Sequence, residues 1–456
     1  MSSLTVVILA AGQGTRMRSS LPKVLHPLAG KPLINHVTDL ARSLTPKKII
    51  IVYGHGGEQL QAALANQTDL VWAKQQEQLG TGDAVRAAMD EVKTARCLVL
   101  NADVPLLSEE TVQRLVTRVD NDSVGVLTAD VANPYGYGRI VRDSAKQVKQ
   151  IIEEKDATDL QKKIVEINSG VFIFPIDFLK DNINKLENNN NQKEYYLTDL
   201  VEKALEQAVN VNAVKAKDPI EIEGVNTRVQ LAKLERCYQD KKAQQLMLAG
   251  VYLADPSRLD IRGDVTIGQD TGVDINVVLA GNVAIGKNCI IEPGVIIKNS
   301  KIADNVHIKA YSVIENSEIA RDAEVGPFAR LRPETKLQEK ARIGNFVEVK
   351  KSTIGVASKA NHLSYIGDSI VGAGVNIGAG AITCNYDGVN KHQTIINDKA
   401  FVGSNCVLVA PIEVGVNAMI GAGSTVSRHV PEDQLTVART KQKSFNWQRP
   451  EKNEIG

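Results

Sequence analysis

Residues 267–297 read IGQDTG-VDINVV-LAGNVA-IGKNCI-IEPGVI-I, and an aliphatic side chain returns at every sixth position: Ile267, Val273, Leu279, Ile285, Ile291 and Ile297. A small residue often follows, as in Ile267-Gly268 and Ile285-Gly286. Neither a helix nor a hairpin has that period. A six-residue step belongs to a parallel β-helix, in which each step is one short strand on a flat face and the repeated aliphatic side chain points to the axis. The pattern slips by one residue at Ile302, then resumes through Ile308, Ile314, Ile319, Val325, Leu331, Leu337, Ile343 and Val349, and continues to Ile420 and Val426. The second half of the chain is therefore expected to be one solenoid. Three steps per coil over roughly 175 residues give about ten coils, on the order of 45 Å of prism at an interstrand spacing of ~4.8 Å. The wide faces of such a rod predict self-association into a symmetric bundle.

The 456 residues exceed what one core supports, so at least two domains are expected. Lys plus Arg number 54 against 53 Asp plus Glu, which leaves no electrostatic footprint for nucleic acid or an anionic membrane. The expected partners are small molecules and copies of the chain itself. Cys97, Cys237, Cys289, Cys384 and Cys406 are scattered and form no C-x-x-C pair, so they read as reduced, mostly buried thiols. The apolar run over residues 4–11 lacks a basic leader and no stretch approaches the ~18 apolar residues of a membrane span, which predicts a cytoplasmic protein.

Over the first 225 residues, short apolar runs at residues 5–10, 48–53, 70–73 and 97–101 alternate with amphipathic segments. That alternation predicts a mainly parallel α/β sheet with ligands beyond the carboxyl ends of its strands. Residues 227–248 read as one long amphipathic helix, with Leu231, Leu234 and Tyr238 on one stripe and Gly250 placed to stop it. The expected division is residues 1–226, a linker helix over 227–250, and residues 251–456. The tail after Arg439, with Lys441, Lys443, Trp447, Arg449 and Pro450, is polar and aperiodic, and partial disorder is expected there.

Immediately after the first run comes Leu9-Ala10-Ala11-Gly12-Gln13-Gly14-Thr15-Arg16-Met17, with Pro22-Lys23 close behind. A glycine-rich turn at a strand end exposes backbone N–H groups that can surround phosphate oxygens. Met17 stands where a dinucleotide fingerprint needs its third glycine, and no Gly-Lys-Ser/Thr follows, so two common phosphate loops are excluded. With Arg16 and Lys23 on one loop, the arrangement suits a triphosphate and the charge that develops on a departing pyrophosphate. A bare Gly-x-Gly would favour an ordinary solvated loop; the G-x-G-T-R…P-K set at a strand end does not.

With these motifs the N-terminal half resembles the sugar-1-phosphate nucleotidyltransferases. Gln75…Gly80-Thr81, Asn101-Ala102-Asp103, Gly136-Tyr137-Gly138-Arg139, Glu153, Asn168 and Glu223-Gly224-Val225-Asn226 stand where the bifunctional N-acetylglucosamine-1-phosphate uridyltransferases/glucosamine-1-phosphate acetyltransferases carry binding motifs. The resemblance implies an α/β, Rossmann-like nucleotidyltransferase domain joined by a long helix to a left-handed parallel β-helix of hexapeptide repeats. It implies UTP and nucleotide-sugar contacts from Leu9, Ala10, Ala11, Gly12, Lys23, Gln75, Gly80, Thr81, Asn101, Ala102, Asp103, Gly138, Glu153, Asn168 and Asn226, with Arg16 catalytic. The Gln75 amide can present a donor and an acceptor to a uracil edge, and Gly138, Glu153 and Asn168 suit the sugar hydroxyls and acetamido group. Asp103 and the Asn226 amide oxygen suit Mg²⁺, which keeps waters and takes phosphate oxygens as further ligands. No general base is needed, because a phosphate monoester with its second pKa near ~6 is already largely dianionic. The resemblance is incomplete: Gln13, Asp83, Asn101 and Ala102 replace the Lys, His, Tyr and Gly of many family members.

The solenoid becomes polar around Arg332, Lys350, His362, Tyr365 and Asn385-Tyr386-Asp387-Gly388, where loops leave the coil. A lone histidine is more often a surface or core imidazole, and His26, His36, His55, His307, His392 and His429, which lack comparable polar company, are left at that reading. Positions 326–439 resemble the acetyltransferase half of the same family, an acetyl-CoA-dependent acyltransferase. There an imidazole can accept the amine proton as the amine attacks a thioester, so His362 is the expected general base, with Glu348 orienting it. Arg332 and Lys350 would bind the sugar phosphate, with Tyr365 and Asn376 completing the glucosamine pocket. Asn385 and Tyr386 would position the acetyl group, while Ala379, Ser404, Ala422 and Arg439 would line the coenzyme groove. Paired Lys350-Lys351 could equally be a solvated face.

The chain thus reads as a bifunctional transferase that acetylates glucosamine-1-phosphate and joins the product to uridine monophosphate from UTP, releasing pyrophosphate. The resemblance adds a bacterial role in wall and lipopolysaccharide precursor supply, and a homotrimer whose neighbouring subunits complete each acetyltransferase site. One rival is a monofunctional sugar-1-phosphate nucleotidyltransferase with a structural β-helix. Another is a non-catalytic scaffold, which predicts loss of Arg16, Lys23 or Asp103; all three are present.

Overall fold

The computed structural model describes residues 4–54 and 56–448. His55, Arg449 and Pro450, named above, lie outside the described residues. The chain divides into two compact units, Met1–Gln239 and Asp240–Gly456, the division falling inside the helix Arg228–Leu248.

In the first unit the strand Leu4–Leu9 pairs in parallel with Lys48–Tyr53 on one side and Arg96–Asn101 on the other, and Lys48–Tyr53 pairs in parallel with Leu70–Lys74. Strand alternation splits the apolar runs between two cores. Val6, Ile8, Ile49, Ile51, Leu98 and Leu100 face one, and Val7, Ile50, Val52, Cys97 and Val99 the other. A sheet buried on both faces reads as an unbroken hydrophobic run, and each such side chain contributes about 1.5–3 kcal/mol on burial. The parallel rule breaks beyond Arg96–Asn101: Glu166–Pro175 lies antiparallel between Arg96–Asn101 and Val124–Asp130, Arg139–Arg142 and Val148–Ile152 add an antiparallel pair to it, and Val211–Lys215 closes the edge in parallel with Val124–Asp130. The pairing of Glu166–Pro175 with Val124–Asp130 shifts register between Asn168 and Phe172, with Gly170 at φ +75°. A bulge of this kind re-aims neighbouring side chains. Because Leu4–Leu9 has a neighbour on each side, the sheet's topological switch point lies at the carboxyl ends of Leu4–Leu9 and Arg96–Asn101, where Leu9 and Asn101 are partners.

The helix Arg228–Leu248 buries a stripe that continues through Gln239 and Ala243, and leaves some apolar residues outside it. Leu234 is buried, and Leu231 and Tyr238 pack on Met17, Leu28, Leu33 and Val225, but Val229 is 80% and Leu248 82% exposed. Gly250 ends the helix at φ +90°: its N–H bonds the carbonyl of Met247 and the N–H of Val251 that of Leu246. This is the Schellman arrangement, which needs a left-handed residue that glycine adopts without strain.

The second unit is a three-faced parallel β-helix with faces of 11, 10 and 9 strands, as in Tyr252–Leu253 on Gly272–Val273 on Ile290–Ile291. Ile267, Val273, Leu279, Ile285, Ile291 and Ile297 are all buried in one continuous core that runs on to Val430. Asn276, Asn288, Asn305, Asn405 and Asn417 take the left-handed corners, at φ between 54° and 60°. Asparagine pays little for that conformation because its amide bonds locally. The slipped register at Ile302 has a specific cause. At the tighter corners Ser300, Ser317, Ser352 and Ser369 are buried, and each hydroxyl donates to the carbonyl two residues before it at 2.8 Å. Between Ile382–Cys384 and Thr394–Ile396 the chain leaves the coil in a loop closed by the Tyr386–Lys391 bridge. No described helix is long and apolar enough to cross a membrane. Cys97, Cys289 and Cys406 are buried, Cys237 and Cys384 are half-buried, and none of the five is in a disulfide.

Candidate active sites

The strand ends at the switch point open into a cavity of about 430 Å³. Leu9, Arg16, Thr81, Asn101, Asp103, Gly138, Glu153, Asn168 and Asn226 line it. Ala10, Ala11, Gly12, Lys23, Gln75, Gly80 and Ala102 are not in that lining. Ala10, Ala11 and Ala102 are buried, so any contact from them passes through backbone.

The charged end of the cavity is drawn together from three distant segments. Lys23 Nζ lies 2.5 Å from Asp103 Oδ2 and donates to Asn226 Oδ1 at 3.2 Å, while Arg16 Nη2 donates to the same oxygen at 2.9 Å. The glycine-rich loop makes this possible. Gly14 sits at φ +63°, and a Cβ there would lie 2.7 Å from that of Lys23. Val225 N–H bonds the Asp103 carbonyl at 2.9 Å, fixing Asn226 beside the carboxylate.

The opposite end is a sugar-sized polar wall. Asn168 N–H bonds the Gly138 carbonyl at 2.9 Å, and its Oδ1 accepts from Gly170 N–H, so the bulge orients the amide. A side chain at Gly138 would crowd the Glu153 carboxyl at 3.3 Å. Burial pushes the Glu153 carboxyl above its usual range, against the Thr198 hydroxyl bonded to it, and nearby Asp199, Asp156 and Glu194 add to the rise. Asp199 itself is raised to about 6, first by burial and then by Glu202. Arg139, next to Gly138, is fully buried and tied to Glu154 at 2.6 Å, so it holds the turn rather than facing the cavity.

Gln75 is buried, and its Nε2 donates to the Gly80 carbonyl at 3.2 Å and to Asp83 Oδ2 at 2.8 Å. Gly80 is at φ +111°, where a Cβ would strike the Tyr195 carbonyl at 2.6 Å.

On the β-helix the expected residues fall along one corner. His362 pairs in register with Asn345, Leu363 N–H bonds the Asn345 carbonyl, Asn405 N–H that of Ala379, and Gly423 N–H that of Ser404. His362, Ala379, Ser404 and Ala422 therefore stack one per coil, and Arg439 Nη1 closes the column on the Ala422 carbonyl at 2.6 Å. Asn376 lies on the strand next to Lys359, three residues before Ala379. His362 is exposed.

One expectation fails here. Glu348 does not orient His362: its carboxylate takes Arg332 Nη1 at 2.8 Å on the adjacent face, and that bond holds the Arg332 guanidinium above its usual range. A guanidinium–carboxylate bond is charge-assisted and among the stronger side-chain contacts. The residue that meets His362 Nδ1 is Asn345, whose Oδ1 is 2.6 Å away. Sequence inspection missed Asn345 because it sits a full coil away; the 17-residue coil spacing is the signal that finds it.

Lys350 is 3.7 Å from Asp368, and the Lys350 ammonium beside Lys391 lowers the Lys391 pKa. Lys391, on the excursion loop, is thus a second cation at this point that the sequence reading did not name. Asn385 is a strut, its Nδ2 donating to Asp368 Oδ2 at 2.5 Å, while Tyr386 is exposed with its hydroxyl on the Gly388 carbonyl. Tyr365 is the register partner of Glu348. Of the remaining described histidines, His36 meets the Leu28 carbonyl and His429 accepts from Glu413 N–H, while two have carboxylate partners: His307 Nε2 meets Glu292 Oε1 at 2.6 Å and His392 Nε2 meets Asp387 Oδ2 at 2.7 Å. The second pair braces the excursion loop, and the His392 bond holds the Asp387 carboxyl far below its usual range.

Residues 6–167 match the family model of the MobA-like NTP transferase domain, and residues 261–335 that of the GMPPB C-terminal domain. The chain is similar to the curated "Bifunctional protein GlmU" of Marinobacter nauticus, at 50% identity over 99% of this chain and 100% of that one. The proteins of the same name from Idiomarina loihiensis and Alcanivorax borkumensis are 51% and 52% identical, over 98% and 99% of this chain and 98% and 100% of theirs. A solved UDP-glucose pyrophosphorylase complexed with UDP-glucose is similar at 18% identity and a TM-score of 0.45, over 53% of this chain and 100% of that one.

Proposed function

The chain belongs to the family of the bifunctional protein GlmU, and from that premise we propose how its two units divide a two-step synthesis. It is a bifunctional transferase. Acetyl transfer from acetyl-CoA to glucosamine-1-phosphate takes place on the β-helix. Uridylyl transfer from UTP to N-acetylglucosamine-1-phosphate, giving UDP-N-acetylglucosamine and pyrophosphate, takes place in the α/β unit.

The observation that carries the uridylyl half is the convergence of Arg16, Lys23, Asp103 and Asn226 at one end of the cavity. Arg16 and Lys23 bind the triphosphate there and offset the charge of the departing pyrophosphate. Asp103 and Asn226 fit Mg²⁺, because their oxygens already close on one positive group, the Lys23 ammonium. Bound there, Mg²⁺ would neutralise phosphate oxygens and orient them. Backbone from Leu9 to Gly12 cradles phosphate, Gln75, Gly80 and Thr81 face the base, Asn101 and Ala102 flank the nucleotide, and Gly138, Glu153 and Asn168 hold the sugar. The attacking phosphate needs no base, so these residues act by position and charge.

On the β-helix, His362 takes the proton of the attacking amine at Nε2, since Asn345 occupies Nδ1. Arg332, Lys350, Tyr365 and Asn376 bind the sugar phosphate, Asn385 and Tyr386 shape the acetyl end, and the column of Ala379, Ser404, Ala422 and Arg439 carries the coenzyme. That column is an open strip in one chain, which supports a homotrimer in which neighbouring copies complete each site. We place the enzyme in the bacterial cytoplasm, supplying wall and lipopolysaccharide precursors, with residues 227–250 linking the two catalytic domains.

Two assays test this reading on the purified chain with Mg²⁺. Pyrophosphate should appear with UTP and N-acetylglucosamine-1-phosphate, and thiol with acetyl-CoA and glucosamine-1-phosphate. Absence of either product removes the corresponding half.

A further inference from the structure

We propose that Asp83 sets the base specificity of the nucleotide pocket by locking the orientation of the Gln75 amide; this rests on the placement of Gln75 at the base. An amide side chain can present either its oxygen or its NH₂, and which one faces a ligand depends on what holds the other end. In Gln75 both amide hydrogens are taken from within the protein, one by the Gly80 carbonyl and one by Asp83 Oδ2. Oε1 is left open, since it is neither bonded to a described residue nor sealed inside. Turning the amide over would press Oε1 against a carbonyl and a carboxylate, and would leave both acceptors without a donor.

Asp83 is itself held in place. Its other oxygen lies 3.5 Å from Arg86 Nη1, while Arg86 Nη2 donates to the Ile183 carbonyl at 3.1 Å and the guanidinium covers the Tyr195 ring at 4.6 Å. Tyr195 in turn bonds Leu79 and Gly82 through its backbone, at 2.7 and 2.8 Å, fixing the turn that carries Gly80. The amide therefore has an acceptor but no donor left for a ligand, where the sequence leads one to expect both. Uracil carries a donor at N3, whereas cytosine carries a lone pair there. Asp83 is a positioning residue: it rejects cytosine through Gln75 without touching either base.

The test compares Asp83→Leu, Asp83→Asn and Gln75→Leu in the full chain, measuring kcat/KM for pyrophosphate release with UTP and with CTP. Thiol release by the same preparations reports that the chain is folded. Asp83→Leu should lower the UTP-to-CTP ratio about thirtyfold, chiefly through KM for UTP, because a buried polar contact is lost from one ligand and gained by the other. Asp83→Asn keeps an acceptor for Nε2 and should hold the ratio within about threefold of the unaltered chain. An unchanged ratio in Asp83→Leu, or an equal loss with both nucleotides, overturns the proposal, as does Asp83→Asn failing as badly as Asp83→Leu. Gln75→Leu separates the two levels. If it leaves the ratio unchanged, Gln75 is not at the base and the underlying placement falls; if it collapses the ratio while Asp83→Leu does not, only the role of Asp83 falls.

Discussion

In the α/β unit, Lys23 reaches Asp103 and Asn226 across 80 and 203 residues of sequence. On the β-helix, Asn345 meets His362 across 17 residues, one coil away. The first cluster exists because a parallel sheet brings the carboxyl ends of non-consecutive strands to one edge. The second exists because a coil repeats, so one residue type at one corner position becomes a column. A sheet edge makes an enclosed pocket with unlike groups facing each other; a column makes an open strip of like positions. The first can neutralise a triphosphate, whereas the second suits a long, thin ligand.

The strongest way to break this comparison is to silence one region and watch the other. His362→Ala should slow thiol release by about 10³-fold, the scale of a lost general base, while pyrophosphate release stays within twofold. Loss of both products together would mean that the two regions are not separate sites.

Core truncation asks whether the column depends on the coil. Leu331 is fully buried beside Arg332, and Leu331→Ala should destabilise the β-helix by about 2–5 kcal/mol. Thermal unfolding followed with thiol release should show the acetyltransferase activity lost at the lower temperature, with pyrophosphate release persisting beyond it.

A smaller effect is expected from Asn345→Ala, which frees Nδ1 of His362. About tenfold slower thiol release, with KM for acetyl-CoA unchanged, fits an orienting contact. A rate unaffected by this substitution would remove the orienting role of Asn345 and leave His362 to be judged by its own substitution.

The smallest effect is on stability and depends on pH. Asp199 has a folded pKa of about 6, above its usual 3.8, so the unfolded chain gives up this proton first as pH rises. The resulting penalty is absent below about pH 4, grows between the two values and is complete above pH 6. Asp199→Asn should therefore stabilise the α/β unit at pH 7.5 by on the order of 1 kcal/mol, a figure reduced for solvent screening of a partly exposed group, and hardly at all at pH 4. Urea titrations at the two pH values check the sign.

Much of this was legible in the residues. The six-residue period named the β-helix, and the slip at Ile302 was visible even though its cause, a tight corner with a buried serine, was not. The strand Lys48–Tyr53 was legible because a doubly buried strand is an unbroken apolar run, and the half-buried edge strand Leu70–Lys74 because its short apolar run stands between polar segments. The antiparallel strand Glu166–Pro175 was not, since direction in a sheet leaves no trace in composition. The stripe of the long helix is legible at Leu231, Leu234 and Tyr238 and runs on through the buried Gln239 and Ala243, while Val229 and Leu248 lie outside it because a local apolar residue says nothing about what packs opposite. Glu348 was matched to His362 by kind of chemistry, and Arg332 took it instead.

The sequence by itself determined periods and termini: a repeat that can only close as a β-helix, a glycine that can only end a helix, a loop at a strand end whose backbone is free to bind. These are properties of adjacent residues, written by sterics and by the burial of apolar side chains at fixed intervals. The tertiary structure alone decided partners. Whether a carboxylate serves a histidine or an arginine, and whether an amide shows its oxygen or its hydrogens, depends on distances of a few ångströms between segments far apart in the chain, and electrostatic and hydrogen-bond energies are set by those distances.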